Sequence, residues 1–233
     1  MSESTLIAVS DGQQLPLTLY SCEAAPPIAN VLILPALGMP AGYYGKLAEA
    51  FAESGVNAVL FEQRGHGEHA QKASAKVDYG FRELLEIDIP AALDWMKSEL
   101  PEAPAVLFGH SLGGYLSIMT ASLRPERVAA VAIAATSTAW LGAYTGKTKW
   151  QIFLLHKLIP LFARFPGFYP GDRVGFGGRE ARSVMLDWLG IAKTNRFQAR
   201  GIDQDIDAGM ARYTGPMLTV RLADDFFVPE QGA

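Results

Sequence analysis

The chain has 233 residues, of which 49% are hydrophobic and 19% are charged, and its formal net charge at pH 7 is −4. A chain of this length can bury a large core, so the sequence predicts one domain over residues 1–233. The acidic balance and the lack of Lys or Arg runs exclude a nucleic-acid-binding surface and favour a small-molecule partner. No apolar run reaches about 18 residues and the first ten residues do not resemble a signal peptide. We therefore expect a cytoplasmic protein without stable membrane insertion.

Short apolar runs recur along the chain and have the length and composition of strands buried on both faces of a parallel sheet. These runs occupy residues 31–34, 56–61, 105–108, 128–134 and 217–222. Before them, residues 6–9 and 15–20 flank the turn sequence Asp11-Gly12 and predict an antiparallel hairpin at the sheet edge.

Helical patterns lie between the apolar runs. Apolar residues at spacings of three and four predict helices near residues 44–51 and 112–123. Asp88 is a candidate N-cap of another helix, with Pro90 in its first turn. Strands that alternate with helices predict an α/β fold, with a mostly parallel sheet and helices on both faces.

The alternation stops between residues 137 and 213, which are rich in aromatic residues, Gly and Pro. We predict that this region is a cap, or lid, inserted into the single domain. Its apolar segment at residues 150–162 has two equally weighted interpretations: it lines an acyl pocket, or it packs the cap onto the body. Membrane-surface contact is less favoured, because the segment has too few lysines for a strongly basic face.

The sequence Gly109-His110-Ser111-Leu112-Gly113 lies where a predicted strand ends and a predicted helix begins. A G-x-S-x-G string alone is weak evidence, but at this place it predicts a sharp, strained turn that exposes the Ser111 hydroxyl as a nucleophile. The start of the helix offers the Leu112 N–H to an oxyanion. We expect His110 to be a packed residue that points away from Ser111. The alternative is a Gly-rich turn with an idle serine.

A second oxyanion donor is expected in the loop after the strand at 31–34, and Leu37 N–H is the candidate. At this point the chain resembles the α/β-hydrolase superfamily, which commonly has His-Gly where this sequence has Pro35-Ala36. The stretch at 61–67 is similar to the family's Asp-x-Arg-Gly-x-Gly turn, with Glu62 in place of Asp. The resemblance covers residues 31–228 outside the cap, and is nearest to predicted bacterial hydrolases of the serine-aminopeptidase-like and acylglycerol-lipase-like kind.

The resemblance implies the α/β-hydrolase fold and a triad in the chain order serine, acid, histidine. Residues 225–229 match the family pattern Asp-x-x-Val-Pro, so Asp225 is the candidate acid and Asp224 is the reserve. All four histidines precede Asp225. We expect the catalytic histidine to lie beyond residue 233 in a longer protein, and this chain to be inactive without it. His66 and His156 are weaker candidates for a recruited base.

These residues predict a serine hydrolase that cleaves an ester or thioester through an acyl-enzyme on Ser111, with a small acyl substrate and without a cofactor or metal. The alternating aspartates at 203, 205 and 207 are more typical of a solvated loop than of a metal site. A serine-aminopeptidase-type peptidase is one alternative, with Glu62 or Glu180 as the anchor for a substrate amine. An inactive ligand-binding or interaction module is another. Epoxide or haloalkane hydrolysis needs a carboxylate at position 111, so Ser111 argues against it.

Overall fold

The computed structural model describes residues 2–23, 26–225 and 227–228. In chain order its strands are β1 (Ser2–Ala8), β2 (Gln14–Tyr20), β3 (Asn30–Leu34), β4 (Asn57–Phe61), β5 (Ala105–His110), β6 (Ala130–Ala134), β7 (Phe168–Pro170), β8 (Arg179–Ala181) and β9 (Met217–Val220). Seven of them form one sheet in the order β1-β2-β4-β3-β5-β6-β9, and β7 pairs with β8 in a separate small sheet. Strands β1 and β2 form an antiparallel hairpin. The five strands β4, β3, β5, β6 and β9 of the same sheet are parallel to one another. The predicted fold class is therefore confirmed.

Helices cover both faces of this sheet. They are α1 (Gly45–Glu53), α2 (Phe81–Glu83), α3 (Ile89–Glu99), α4 (Leu112–Leu123), α5 (Gly146–Arg164), α6 (Gly171–Val174), α7 (Arg182–Thr194) and α8 (Ile206–Arg212), and a π-helical turn at Leu84–Asp88 joins α2 to α3. Within β3, Val31 and Ile33 pack with α1, whereas Leu32 and Leu34 face the larger cluster that contains α3 and α4. Alternate residues of a strand point to opposite faces, so a strand between two helical layers must be apolar throughout.

The region at 137–213 contains α5 to α8 and the small β7–β8 sheet. Helix α5 packs on α7, whereas α8 packs on α4 of the body. Within the described residues, no helix has both the length and the apolar character needed to cross a membrane.

The prediction that the strand at 217–222 is buried on both faces is wrong. Strand β9 forms close to the predicted place, but Met217, Leu218 and Val220 are 48%, 60% and 40% exposed. The reason is its position, because β9 is the outermost strand of the described sheet and pairs only with β6 there. An apolar run indicates a strand, but it does not say how many neighbours the strand has.

Asp88 was expected to cap a helix, but its side chain makes no capping hydrogen bond. Instead, its two carboxylate oxygens each accept a hydrogen bond at 2.6 Å from the guanidinium of Arg64, and the same guanidinium also donates to Asp11. The Asp88 side chain is fully buried and that of Arg64 is 7% exposed. This ion pair joins the turn after β4 to the start of α3 and to the β1–β2 turn.

We expect Arg64→Met to lower the free energy of unfolding by about 3–5 kcal/mol, because it leaves the buried Asp88 carboxylate without its partner. Urea denaturation followed by circular dichroism measures this change. The control is Arg196→Met, since Arg196 pairs with Asp207 at the surface and such pairs contribute little. Equal effects of the two substitutions would contradict the structural role of Arg64.

Candidate active site

Ser111 lies on the turn between β5 and α4, with φ of 52° and ψ of −111°. Few residues other than glycine adopt a positive φ, and such strain persists only where the surrounding structure holds it. Here the Ser111 N–H donates to the carbonyl oxygen of Ala134 at 3.0 Å, which ties the turn to the end of β6. The predicted strained geometry at Ser111 is confirmed.

Glycine is required on both sides of Ser111 by close backbone contacts. A Cβ atom on Gly109 would overlap the carbonyl oxygen of Gly113, and one on Gly113 would overlap the carbonyl oxygen of Leu34. The G-x-S-x-G spacing therefore reflects the meeting of three backbone segments, those of β3, β5 and α4.

Ser111 lines a cavity of about 300 Å³ together with Asp225 and His110. Its apolar wall includes Ala139, Ile152, Phe176, Trp188, Phe227 and Val228. The Asp225 carboxylate accepts a hydrogen bond from its neighbour Phe227 N–H at 2.9 Å. Asp224 is exposed and does not line the cavity. Among the cavity-lining residues that the structure describes, Asp225 is the one with a carboxylate.

The two candidate oxyanion donors, Leu112 and Leu37, lie on different elements next to residues that line the cavity. Leu112 is the first residue of α4, where a backbone N–H has no acceptor within the helix. Leu37 lies in the loop after β3. Among the residues that the structure describes, none accepts a hydrogen bond from its N–H. Gly177 of the cap region lines the cavity and packs closely against the Leu37 side chain. The glycine-rich segment at 175–178 thus contacts the loop that carries Leu37.

His66 is held away from Ser111 by its own partners. Its Nδ1 donates to the Arg64 carbonyl oxygen at 2.9 Å, and its Nε2 is 3.2 Å from Glu180 Oε1. Burial alone would lower the pKa of His66, but the hydrogen bond and charge of Glu180 outweigh it and raise that pKa. The pair links the turn after β4 to β8 in the cap region.

The other three histidines also have contacts of their own. His69 hydrogen-bonds within its own turn, and His156 on α5 packs edge-to-face against Trp188, with its ring buried. His110 differs from expectation, because it is a half-buried residue of the cavity wall and its Nδ1 is 2.8 Å from the Tyr44 hydroxyl. In the described part of the chain, no histidine hydrogen-bonds to the Ser111 hydroxyl.

Neither proposed amine anchor lies in the cavity wall. Glu62 accepts a hydrogen bond from Ala41 N–H at 3.1 Å, and Glu180 accepts one from Gly178 N–H at 2.9 Å in addition to its contact with His66. Asp205, one of the alternating aspartates, caps α8 by accepting from Ala208 N–H. No group of three His, Cys, Asp or Glu side chains within the described residues is arranged to hold a metal ion.

The His66–Glu180 pair predicts a pH-dependent stability. Because the pKa of His66 is raised above 6.5 in the folded state, its stabilising effect is complete below about pH 6.5 and is lost as the pH rises through the raised value. We therefore expect the stability difference between the wild type and His66→Gln, measured by urea unfolding, to shrink as the pH rises above about 6.5.

The matched control is His69→Gln. Burial lowers the pKa of His69, so its contribution should have the opposite sign and improve as the pH rises toward 6.5. A wild-type advantage over His66→Gln that stays constant or grows with pH would contradict a charged His66–Glu180 pair.

A family model described as serine aminopeptidase, S33, matches residues 25–181, more than half of the chain. Rat monoglyceride lipase (Rattus norvegicus) is 27% identical over 116 residues, which are 50% of this chain and 37% of the lipase. The chain spans less than half the length of the curated relatives it matches.

Solved structures show the same fold at low sequence identity. DcsB in complex with its substrate analogue has a TM-score of 0.66 and 14% identity, over 99% of this chain and 83% of DcsB. A carboxyl esterase from Bacillus coagulans has a TM-score of 0.62 and 13% identity, over 94% of this chain and 89% of the esterase. At these identities the likeness concerns the arrangement of strands and helices.

Proposed function

The chain belongs to the serine aminopeptidase S33 family of α/β-hydrolases, and from this premise we propose that it is a serine hydrolase which cleaves a carboxylic ester or thioester. The observation that carries the proposal is the strained turn at Ser111, which opens into a cavity shared with Asp225. A serine held in this geometry between a strand and a helix has its hydroxyl exposed for attack on a carbonyl carbon.

In the proposed reaction the Ser111 hydroxyl oxygen attacks the carbonyl carbon while its proton passes to an imidazole. The carbonyl oxygen becomes an oxyanion that accepts hydrogen bonds from Leu37 and Leu112 N–H. The imidazolium, oriented by Asp225, returns the proton to the leaving alcohol or thiol. Water then attacks the acyl-enzyme by the same proton transfers, which releases the acid and restores Ser111.

The base in this reaction is an imidazole that none of the four histidines of residues 1–233 supplies. His66 and His69 are engaged in their own turns, His156 packs on Trp188, and His110 bonds to Tyr44. A proton acceptor is essential, because a serine hydroxyl at its ordinary pKa is a weak nucleophile.

Esters are favoured over peptides by the charges around the cavity. An aminopeptidase-type substrate needs a carboxylate for its amine, but Glu62 and Glu180 are buried and bonded outside the cavity wall. Asp225 is required for the base. The apolar wall around Trp188 suits an acyl chain, and the similarity to monoglyceride lipase supports an ester of the acylglycerol kind.

A second candidate function is a non-catalytic module that binds an acyl ligand in the same cavity. It is favoured by one observation, that no described histidine hydrogen-bonds to Ser111. The two functions differ in whether Ser111 reacts when a base is supplied.

We expect residues 1–233 to hydrolyse p-nitrophenyl esters negligibly in a buffer without imidazole, because Ser111 lacks a proton acceptor. Added imidazole should enter the space beside Asp225 and raise the rate with saturation. Ser111→Ala should show only the background reaction of free imidazole, and subtracting it isolates the enzymatic rate. Equal rates for the wild type and Ser111→Ala at every imidazole concentration would favour the binding module.

We also expect a fluorophosphonate probe to label Ser111 in the presence of imidazole, since the probe reports nucleophilicity without requiring turnover. Mass spectrometry of the labelled peptide identifies the site. Ser137→Ala is the matched control, because Ser137 lines the same cavity but its hydroxyl bonds to Tyr144. Labelling that survives Ser111→Ala and is lost in Ser137→Ala would overturn the assignment of the nucleophile.

A further inference from the structure

We propose that Tyr44 is a positioning residue of the Ser111 site, and that its hydroxyl fixes His110 as a hydrogen-bond donor that faces the cavity. The effect on rate rests on the proposed function, whereas the hydrogen bonds and the state of His110 can be tested without it. Tyr44 ends the short 3-10 helix Ala41–Tyr44 that precedes α1, and its side chain is 5% exposed.

The Tyr44 hydroxyl bridges the loop that carries Leu37 and the end of β5, which directly precedes Ser111. It accepts a hydrogen bond from Ala36 N–H at 2.9 Å and lies 2.8 Å from Nδ1 of His110. Ala36 directly precedes Leu37, and His110 directly precedes Ser111 on the strained turn. One hydroxyl group therefore links the Leu37 loop to the turn at Ser111.

The direction of the second hydrogen bond follows from satisfying both groups. The hydroxyl oxygen accepts from Ala36, so its own hydrogen is free to be donated, and His110 Nδ1 is the acceptor within reach. If Nδ1 carried a hydrogen instead, the hydroxyl hydrogen would be buried without an acceptor, which is unfavourable. The arrangement thus selects an unprotonated Nδ1.

Burial keeps both partners uncharged at neutral pH. It lowers the pKa of His110, against the smaller opposing effect of the Asp225 charge. It also raises the pKa of Tyr44 to about 12. A neutral imidazole whose Nδ1 accepts a hydrogen bond must carry its hydrogen on Nε2.

The consequence is a donor in the cavity wall beside Ser111. His110 is a half-buried residue of the wall that Ser111 and Asp225 share, and its Nε2 has no hydrogen-bond partner among the described residues, so the Nε2–H is available to an oxygen atom of the substrate. The same hydrogen makes His110 unable to accept the serine proton at Nε2, while Tyr44 occupies Nδ1. His110 is therefore a binding residue for the substrate and not the missing base.

The first test measures the wild-type protein. Long-range ¹H–¹⁵N spectra of the wild type at neutral pH should show His110 as the neutral tautomer with its hydrogen on Nε2, assigned by loss of the signal in His110→Ala. A His110 ring that is protonated, or that carries its hydrogen on Nδ1, would overturn the proposal.

The second test compares Tyr44→Phe with Tyr43→Phe, a matched control because Tyr43 is the neighbouring tyrosine and is 68% exposed. Tyr44→Phe keeps the ring but removes the hydroxyl, so amide hydrogen exchange in the peptide that contains residues 35–38 should become about tenfold faster or more. Tyr43→Phe should leave the exchange unchanged. Equal exchange in the two variants would show that the hydroxyl does not hold the loop.

The effect on the site is measured as the rate of fluorophosphonate labelling at Ser111 in imidazole buffer. Tyr44→Phe should slow it about tenfold, less than the loss of roughly 10²-fold or more on removing an oxyanion donor itself. If the wild type is labelled and both variants match it, the positioning role is wrong. If the wild type is not labelled at all, the proposed function fails, and the tautomer and exchange results still decide the role of Tyr44.

Discussion

The close approach of three backbone segments at Ser111 is the constraint on which the rest of the site depends. Strand β5 ends and α4 begins against the end of β3, with glycine at 109 and 113 because no side chain fits there. This arrangement gives Ser111 a positive φ, a strained backbone conformation that costs about 1–3 kcal/mol. Ser111 and the first residue of α4 therefore lie at the carboxyl ends of the parallel strands, where Asp225 follows β9 and lines the same cavity as Ser111.

Contacts from the cap region extend this constraint beyond the sheet. Gly177 packs against Leu37, and Glu180 reaches the buried His66 beside the turn after β4. Glu180 is 1% exposed and its Oε1 lies 3.2 Å from His66 Nε2, so this buried contact holds β8 against the turn after β4. The loop with Leu37, the second candidate oxyanion donor, thus contacts both the sheet and the region at 137–213, so its position depends on the whole fold and not only on its own sequence.

Local sequence patterns were sufficient to predict most of the sheet strands and the turn at Ser111. Apolar runs located the sheet strands, and the change of period after Phe108 located the turn at Ser111. They could not show that β9 is exposed, since edge position depends on the neighbours of a strand. Nor could they show that Asp88 binds Arg64, or that Tyr44 bridges Ala36 and His110, because these contacts depend on how separate elements pack together. The cap boundaries and the catalytic roles of Ser111, Asp225, Leu37 and Leu112 remain predictions.

The state of His110 connects these long-range contacts to the chemistry. A serine hydrolase needs an imidazole that can accept a proton from the nucleophile and then hold it near a carboxylate. His110 is adjacent to Ser111 and lies close enough to Asp225 to sense its charge, yet its bond to Tyr44 and its burial keep it neutral with Nδ1 already occupied. Proximity alone therefore does not make a base. In the proposed mechanism the base is another imidazole, whose Nδ1–H would bond to Asp225 and whose Nε2 would stay free to accept the serine proton.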